Sequence, residues 1–238
     1  MVPYLDSLDL SSLDPALAAK CHSGIVAPAL QLLKREGYQV KVSRSLADLS
    51  AFWQRHADQE DLYRSSAFDC AFHPETSPAQ GLFLEAPNWE PVGTVWRRTI
   101  PLSFSGKSLN LKQALEGLYV FYHDPLDAPR RETCVVECEA AEDIKRCTIS
   151  YGGALWIHPE HQGKGLFKAF SLLSRVLAIA NAGWDYFVLL TEDKNRILAL
   201  DHFPCTSYTR GVWHKGVHNW LCTAPYHDAV RLAMKEVV

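Results

Sequence analysis

The chain has 238 residues and a formal net charge of −3, from 24 Lys and Arg against 27 Asp and Glu. Hydrophobic residues make up 47% and charged residues 21%, which excludes an intrinsically disordered chain. The mildly acidic balance offers no general basic face, so we expect no nucleic-acid partner.

The cysteine content and the first residues predict where the protein works. Seven cysteines, an odd number without a regular spacing, favour a reducing, cytoplasmic compartment. The opening MVPYLDSLDL lacks the basic start and apolar run of a signal peptide. Because no stretch approaches ~20 unbroken apolar residues, we expect neither a membrane-spanning helix nor a membrane partner.

Residues 1–37 are predicted to form a helical extension. Asp14 followed by Pro15 is typical of a helix start, and Gly37 of a helix end. Pro28 is expected to kink or split the helix between them, because proline lacks the N–H of a helical hydrogen bond.

The segment from 38 to 100 is predicted to contain one helix and three strands. Residues 38–44 alternate as a strand, and Ser45 with Asp48 predicts a capping box at the start of a short helix. Residues 81–85 and 92–100 are predicted to form an antiparallel hairpin.

Residues 101–147 carry weaker patterns. Apolar spacing predicts a helix over 109–122, and the Pro-rich residues 124–129 predict a loop. Residues 134–138 suit a strand.

The last ninety residues predict a βαβ unit. Thr148–Ile157 is a strand interrupted by two glycines, a pattern that marks a bulge or a close backbone approach. A helix with apolar residues at steps of three and four follows from Leu166, and 186–190 is a continuous apolar strand. The two strands are expected to be parallel. Two more strands, 207–212 and 218–223, and a terminal helix over 226–237 complete the chain.

The loop before the long helix predicts an anion site. Gly163 and Gly165 allow close approach to the first, unpaired N–H groups of the helix, and Lys164 and Lys168 add positive charge. Phosphate binding is one interpretation, and a plain glycine-rich turn before a core helix is the other. The P-loop and dinucleotide fingerprints do not fit, because no Ser or Thr follows Lys164 and Lys168 stands where a third glycine belongs.

This segment resembles the GNAT acyltransferase superfamily. The family motif Q/R-x-x-G-x-G/A follows a strand ending apolar-x-apolar-x-Pro, and the sequence from Leu155 to Gly165, LWIHPEHQGKG, matches it. Phe167 departs from the small residue usual at its position. The match is specific over about 148–200 and topological over 38–100.

The resemblance implies a fold and a co-substrate, acetyl-CoA or another acyl-CoA. The fold is α/β (α+β): a mixed, mainly antiparallel sheet flanked by helices, whose splayed parallel strand pair carries the motif, over residues 38–238 with an insertion at about 101–147. The implied contacts are the strand backbone with the pantetheine arm, the loop N–H groups with the pyrophosphate, and one asparagine with the pantetheine region. The strand residues are Leu155, Trp156 and Ile157, and the asparagine is Asn195. The loop residues are Gln162, Gly163, Lys164, Gly165, Leu166 and Phe167, with Lys168 adjoining.

Acyl transfer to an amine needs a base and an acid, because the amine must lose a proton and the CoA thiolate must gain one. Glu192 and Asp193 end the second parallel strand, so Glu192 is the candidate base, although both residues could simply cap the next helix. The family uses a Tyr as acid, and counting from Asn195 its position falls near His202. Tyr208 follows six residues later, and we keep both candidates, with Tyr208 preferred.

Other pairs of residues have metal-like spacing without a complete ligand set, and we expect no metal. They are His158 with His161, His202 with Cys205, and His214 with His218. Cys205 or Cys222 could instead be a catalytic thiol, which requires a lowered pKa.

The sequence therefore predicts an acyl-CoA-dependent N-acyltransferase acting on a small-molecule or peptide amine by direct transfer in a ternary complex, with a homodimer left open. One alternative is a non-catalytic CoA-binding or regulatory module. A second is an interaction protein whose glycine loop is only a turn. Fold alone does not separate these possibilities.

Overall fold

The structure is a computed structural model that describes residues 9–60, 62, 64–74, 78–181, 183–195, 203 and 205–235. Its eight-stranded sheet has the order β1-β2-β3-β7-β8-β10-β9-β6, and β4 and β5 form a separate small hairpin. The strands are β1 (Gln39–Ser43), β2 (Ala79–Glu85), β3 (Pro91–Pro101), β4 (Ser103–Phe104), β5 (Lys107–Ser108), β6 (Cys134–Val136), β7 (Thr148–Ile157), β8 (Tyr186–Glu192), β9 (Ser207–His214) and β10 (Val217–Pro225).

Helices cover both faces of this sheet. The α-helices among the described residues are α1 (Pro15–Cys21), α2 (Ala27–Arg35), α3 (Leu46–Arg55), α4 (Leu111–Glu116), α5 (Ala140–Asp143), α6 (Leu166–Ala180) and α7 (Tyr226–Lys235). One buried apolar cluster joins α3, α4 and the 101–147 segment to one face, and another joins α1, α2, α6 and α7 to the opposite face. Because α6 lies between the N-terminal helices and the sheet, it is buried along nearly its whole length.

The predicted fold class is confirmed by the strand order. Of the seven neighbouring pairs in the main sheet, only β7 and β8 are parallel, and the rest are antiparallel. The parallel pairing runs from Ile149 opposite Tyr186 to Gly152 opposite Leu189 and then stops. Beyond Gly152 the two strands separate. The edge of β7 that faces β8 therefore pairs with no described strand from residue 153 to 157.

A β-bulge lies at the point of separation. Trp96 of β3 pairs with Gly153 and Thr94 pairs with Trp156, so two residues of β7 oppose Val95 alone. Ala154, inside the bulge, has a φ of 49°. Gly153 beside it is required sterically, because a Cβ there would lie 2.8 Å from Cε2 of Phe68. The glycine pair thus marks both features that the sequence predicted.

The N-terminal helix changes its hydrogen-bond pattern at its middle. Asp14 caps α1 as expected, accepting hydrogen bonds from the N–H groups of Ala16 and Leu17. A π-helical turn, His22–Val26, then joins α1 to α2 directly, and Pro28 lies in the first turn of α2. In the π-helical turn the Ala27 N–H donates to the carbonyl of His22, five residues back. Because proline has no N–H to donate, this shift in pairing just before Pro28 lets the chain stay helical.

Two further local predictions are wrong. Ser45 makes no capping hydrogen bond to α3; instead the Ser43 hydroxyl accepts from the Ser45 N–H and donates to Asp48 Oδ2 at 2.7 Å. The helix predicted over 109–122 is only α4, because Gly117 ends it. The capping box lies here, between Asn110 and Gln113.

One continuous helical stretch, Pro15–Arg35, has the length and mean hydropathy, 1.2, to cross a membrane, contrary to the expectation from the sequence. A core helix passes the same test. Cys21, Ile25 and Leu33 on its inner face are buried in the cluster that contains α6. The buried share of the most apolar 18-residue window in this stretch is 28%.

A buried arginine–histidine pair, Arg98 and His73, connects β3 to the segments outside the sheet. Nε2 of His73 is 3.1 Å from the carbonyl of Ser66 and 3.0 Å from that of Phe121. Nη1 of Arg98 lies 2.6 Å from Nδ1 and also contacts Nε2. Burial, followed by the adjacent guanidinium, lowers the pKa of His73 to about 4.

This arrangement predicts a loss of stability in acid. His73 binds a proton near pH 6.5 in the unfolded chain but only near pH 4 in the folded protein. Its contribution to the free energy of unfolding is therefore fully present above pH 6.5 and is lost progressively between pH 6.5 and 4. We expect His73→Gln to remove roughly 1 kcal/mol per pH unit from the slope of the unfolding free energy in this window. Urea unfolding at several pH values measures the slope. His227→Gln, at a side chain 80% exposed, is the control that should leave it unchanged.

Candidate active site

The loop between β7 and α6 has the geometry of an anion site. Gly163 and Gly165 have φ values of 81° and 71°, and Gly165 is the N-cap of α6. A hydrogen bond joins the loop to the end of β7, because Nε2 of Gln162 donates to the carbonyl of Ile157 at 2.7 Å. The first N–H groups of this 15-residue helix therefore face outward at the end of β7, with Lys164 and Lys168 exposed beside them.

A side-chain cluster attaches this loop to the start of β1. The Tyr38 hydroxyl is 2.8 Å from Nδ1 of His161, and Nζ of Lys164 donates to the same hydroxyl at 3.1 Å. The Lys164 ammonium also lies 5.4 Å from the centre of the Tyr38 ring. Burial and the neighbouring His158 and Lys164 lower the pKa of His161, which favours a neutral imidazole within the loop. Tyr38 thus fixes the loop before any ligand binds.

A cleft opens where β7 and β8 separate. It extends from Leu155 and Phe167, which pack with the apolar cluster beneath α6, to Tyr151, which belongs to the cluster on the opposite face. The β9–β10 hairpin contributes His214 and Lys215 to the same cleft. A molecule lying along β7 could therefore meet a second molecule that enters from the other face of the sheet.

The residues predicted to bind a cofactor fall into two groups. Leu155, Phe167 and Asn195 line the cleft, whereas Trp156 and Ile157 have buried side chains and can offer only their backbone to it. The indole of Trp156 packs against Phe52, His56 and His158. The others lie at the loop and first turn of α6: Gln162, Gly163, Lys164, Gly165, Leu166 and Lys168.

The candidate acid and base residues are not all brought together. Glu192 lines the cleft, and Lys194 pairs with its carboxylate at 3.0 Å. The hydroxyl of Tyr208 donates to the carbonyl of Cys205 at 3.1 Å, and its ring packs with a separate core cluster. His202 lies outside the described residues.

The side chain of Asp193 engages the β9–β10 hairpin, and residues 196–202, which it was suggested to cap, lie outside the described residues. Its Oδ1 accepts from Nε1 of Trp220 at 2.6 Å, and its Oδ2 accepts from Arg210 at 2.9 Å. Asp193 thus ties the end of β8 to the β9–β10 hairpin. These hydrogen bonds, with the Arg210 charge, hold the pKa of Asp193 below its usual value.

A histidine–glutamate pair in the cleft was not predicted from the sequence. Nε2 of His214 lies 2.8 Å from Oε1 of Glu132, and each side chain is only 4% exposed. The hydroxyl of Tyr122 donates to Oε2 of Glu132 at 2.7 Å, and Lys215 lies 3.5 Å from the same oxygen. Phe121 stacks on the imidazole with ring centres 3.9 Å apart and planes 8° apart.

The electrostatics of this pair define its protonation. Burial works against the Glu132 charge, but hydrogen bonds from Tyr122 and His214 and the Lys215 ammonium leave the pKa of this carboxyl lowered. Burial lowers the pKa of His214, although Glu132 opposes that shift. An ionised carboxylate only accepts hydrogen bonds, so the neutral imidazole must donate from Nε2, and Nδ1 is its basic atom.

The cysteines considered for catalysis are buried. Burial raises the pKa of Cys222 to about 12 and that of Cys205 well above its usual value. A reactive thiol needs the opposite shift. All seven cysteines are free.

One group of potential metal ligands lies at the loop. His158, Glu160 and His161 each offer a ligand atom, all within 4.8 Å of one another. His161 already engages Tyr38 through Nδ1, and Nδ1 of His158 accepts from the N–H of Glu160 at 3.3 Å. These contacts explain the close spacing without an ion, and the absence of a metal stays a prediction.

No protein-family model and no curated protein matches the sequence. Among solved structures, the chain is similar to NAA60 of Arabidopsis thaliana in complex with acetyl-CoA, with 14% identity, a TM-score of 0.46, and coverage of 79% of this chain and 98% of that one. It is also similar to FeeM, an N-acyl amino acid synthase from uncultured soil microbes, with 12% identity, a TM-score of 0.47, and coverage of 81% and 92%.

A third similar structure is that of mutant forms of the spermidine/spermine N-acetyltransferase SpeG from Vibrio cholerae. The identity is 10%, the TM-score 0.43, and the coverage 82% of this chain and 96% of that one. At these identities the likeness concerns the fold, so the function must be argued from the residues of this chain.

Proposed function

We propose that the protein is an acyl-CoA-dependent N-acyltransferase that transfers an acyl group directly to an amine. The observation that carries this proposal is the cleft between β7 and β8, bounded by the glycine loop at the start of α6 and by the β-bulge at Ala154. It combines an anion site, an unpaired strand edge and access from both faces of the sheet.

The loop would hold the pyrophosphate of CoA. Two glycines with positive φ, at 163 and 165, present the first N–H groups of α6, and the helix dipole favours negative charge there. Lys164 and Lys168 add attraction for the phosphates. The hydrogen bond from Gln162 to Ile157 joins this site to the end of β7.

The free edge of β7 would hold the pantetheine arm. Residues 153–157 pair with β3 on one side and with no described strand on the other, so their outward N–H and C=O groups can bind amide groups of an extended ligand. This role suits Trp156 and Ile157, whose buried side chains leave only the backbone available. Leu155, Phe167 and Asn195 would line the same path.

Transfer would occur where the two sides of the cleft meet. Holding the thioester and the amine together replaces a bimolecular encounter with reaction in a single complex. A backbone N–H of β7 near the bulge would polarise the thioester carbonyl. Glu192 as base and Tyr208 or His202 as acid remain predictions. Glu192 lines the cleft, Tyr208 is not among the lining residues, and His202 lies outside the described residues.

The acceptor is proposed to be a small-molecule or peptide amine, with a homodimer still open. We propose a cytoplasmic location, which the seven free cysteines support. A non-catalytic CoA-binding module is the alternative, and it would bind acyl-CoA without turnover.

Calorimetric titration with acetyl-CoA tests the proposal, with ATP and NAD as controls. We expect a dissociation constant of about 1 μM, equivalent to about −8 kcal/mol, and no comparable heat from the controls. Absence of both heat and thermal stabilisation by acetyl-CoA would contradict the proposal and leave the loop as a structural turn.

Replacing Tyr38 with Phe should weaken acetyl-CoA binding while preserving the fold. The substitution removes the hydroxyl that contacts His161 and Lys164, so binding would have to order the loop. We expect a loss of roughly threefold to tenfold in affinity, about the net value of one hydrogen bond. Calorimetry on Tyr38→Phe measures the loss. The control is Tyr119→Phe, because Tyr119 stacks on Phe104 away from the loop. Equal affinities would show that the cluster does not prepare the loop for binding.

A further inference from the structure

The 101–147 segment supplies Glu132, the charged partner of His214, and His214 itself lines the cleft. Glu132 lies between α4 and β6 in sequence, and its carboxylate is held by Tyr122, His214 and Lys215. His214 is the last residue of β9, where it pairs with Cys134 of β6 and Val217 of β10. The pair therefore depends on β6, the strand that the 101–147 segment adds to the edge of the sheet.

The surroundings of this pair differ from those of a surface ion pair. Both side chains are 4% exposed, yet His214 lines the cleft and stacks on Phe121. The stacking fixes the plane of the ring, and the carboxylate fixes its tautomer and its rotation. A buried ionised carboxylate is costly unless it is well paired, and here three groups pair it.

We propose that His214 is the general base that accepts a proton from the amine, and that Glu132 is the residue that positions it. The inference rests on the proposed function. His214 lies outside the loop motif. The proposal also replaces the prediction that Glu192 is the base, since the Glu192 carboxylate forms an ion pair with Lys194.

The proton balance follows from the tautomer. An ammonium group entering the cleft transfers one proton to Nδ1 of His214 and becomes a neutral amine. The amine nitrogen attacks the thioester carbonyl, a C–N bond forms, and the C–S bond breaks. The second proton of the attacking nitrogen goes to the departing CoA thiolate, and the imidazolium beside Glu132 returns its proton to solvent. The products are an amide, CoA with a free thiol, and one proton.

S-bromoacetyl-CoA provides a test that does not require the natural acceptor. It places an electrophilic carbon next to the thioester carbonyl, where a basic nitrogen can displace bromide and form a C–N bond. We expect mass spectrometry to locate the modification on His214, and excess acetyl-CoA to prevent it. Labelling of His214→Gln should be at least about tenfold slower, because glutamine can keep the hydrogen bond to Glu132 but has no basic nitrogen.

Two further variants separate the base from the residue that positions it. Glu132→Gln should slow labelling by roughly fivefold to tenfold, since the ring loses the charge that supports its basicity. His218→Gln is the matched control on the same hairpin: His218 stacks on Trp213, and its labelling should equal that of the wild type.

The pH dependence of labelling provides a readout that a structural role would not change. The rate should rise with pH as His214 loses its proton, and the midpoint should move to lower pH in Glu132→Gln, because the carboxylate raises the pKa of His214. The titratable or charged groups around the ring are Glu132, Tyr122 and Lys215, Cys134 on the paired strand and Tyr151 across the cleft. Of these, Cys134 has a pKa raised to about 12 by burial, above the range of the experiment.

The outcomes are distinguishable. If acetyl-CoA binds but the label falls on Lys215 or Glu192, or His214→Gln reacts like the wild type, the role of His214 is overturned and the proposed function stands. If the wild-type protein binds no acetyl-CoA, both proposals are overturned. Should His214→Gln not fold, the site of wild-type labelling and the midpoint of Glu132→Gln decide the role of His214.

Discussion

Gly165→Glu is expected to weaken acetyl-CoA binding by about 100-fold or more, equivalent to about 2.7 kcal/mol. Gly165 is the N-cap of α6 with a φ of 71°, so its side-chain position borders the N–H groups proposed to hold the pyrophosphate. A carboxylate there both occupies this space and repels the phosphates. Calorimetry and thermal melting with acetyl-CoA measure the loss.

Backbone strain is separated from charge by a matched control. Gly106 between β4 and β5 has a φ of 77°, and a Cβ there would meet no atom within 4 Å. A Cβ on Gly165 would likewise meet only Cδ2 of Leu32, at 4.0 Å. Both Glu variants should lose a similar free energy of unfolding, roughly 1–2 kcal/mol, but Gly106→Glu should bind acetyl-CoA like the wild type. Equal binding by the two variants would exclude the loop as the phosphate site.

The part of the fold that the sequence predicted well is the part governed by local chemistry. The step pattern of apolar residues from Leu166 determined α6, and the apolar run after Gly183 determined the parallel strand β8. The glycines at 163 and 165 predicted positive φ angles, and a φ angle is a property of the single residue that adopts it. In each case the residues that specify the structure lie within a few positions of it.

The predictions that were wrong involve competition or distance. Ser45 was expected to cap α3, but the Ser43 hydroxyl takes both Asp48 and the Ser45 N–H, and no pattern in the sequence ranks these two serines. His214 and Glu132 are 82 positions apart and meet only because β6 joins β9 at the edge of the sheet. The metal-like spacing of His214 and His218 was judged incomplete, and it gave no sign that His214 engages a glutamate while His218 stacks on Trp213.

Phe170→Ala is expected to destabilise the protein by roughly 3–5 kcal/mol, the cost of removing a large side chain from a close-packed core. Phe170 is fully buried on α6, in the cluster that joins the N-terminal helices to the sheet. Urea unfolding should show a lower midpoint with an unchanged slope. Leu126→Ala, at a leucine 90% exposed, is the control and should stay within about 0.5 kcal/mol of the wild type. A loss below about 1 kcal/mol in Phe170→Ala would contradict the packing of α6 described here.

The same variant tests whether the proposed ligand binds only the folded protein. The phosphate site consists of N–H groups that point outward only when α6 and its loop are formed. Acetyl-CoA at 100 times its dissociation constant should therefore raise the free energy of unfolding by about 2.7 kcal/mol. The increase should be the same in the wild type and in Phe170→Ala, because the substitution lies in the core and not at the loop. A smaller increase in either protein at this saturation would mean that acetyl-CoA also binds the unfolded chain.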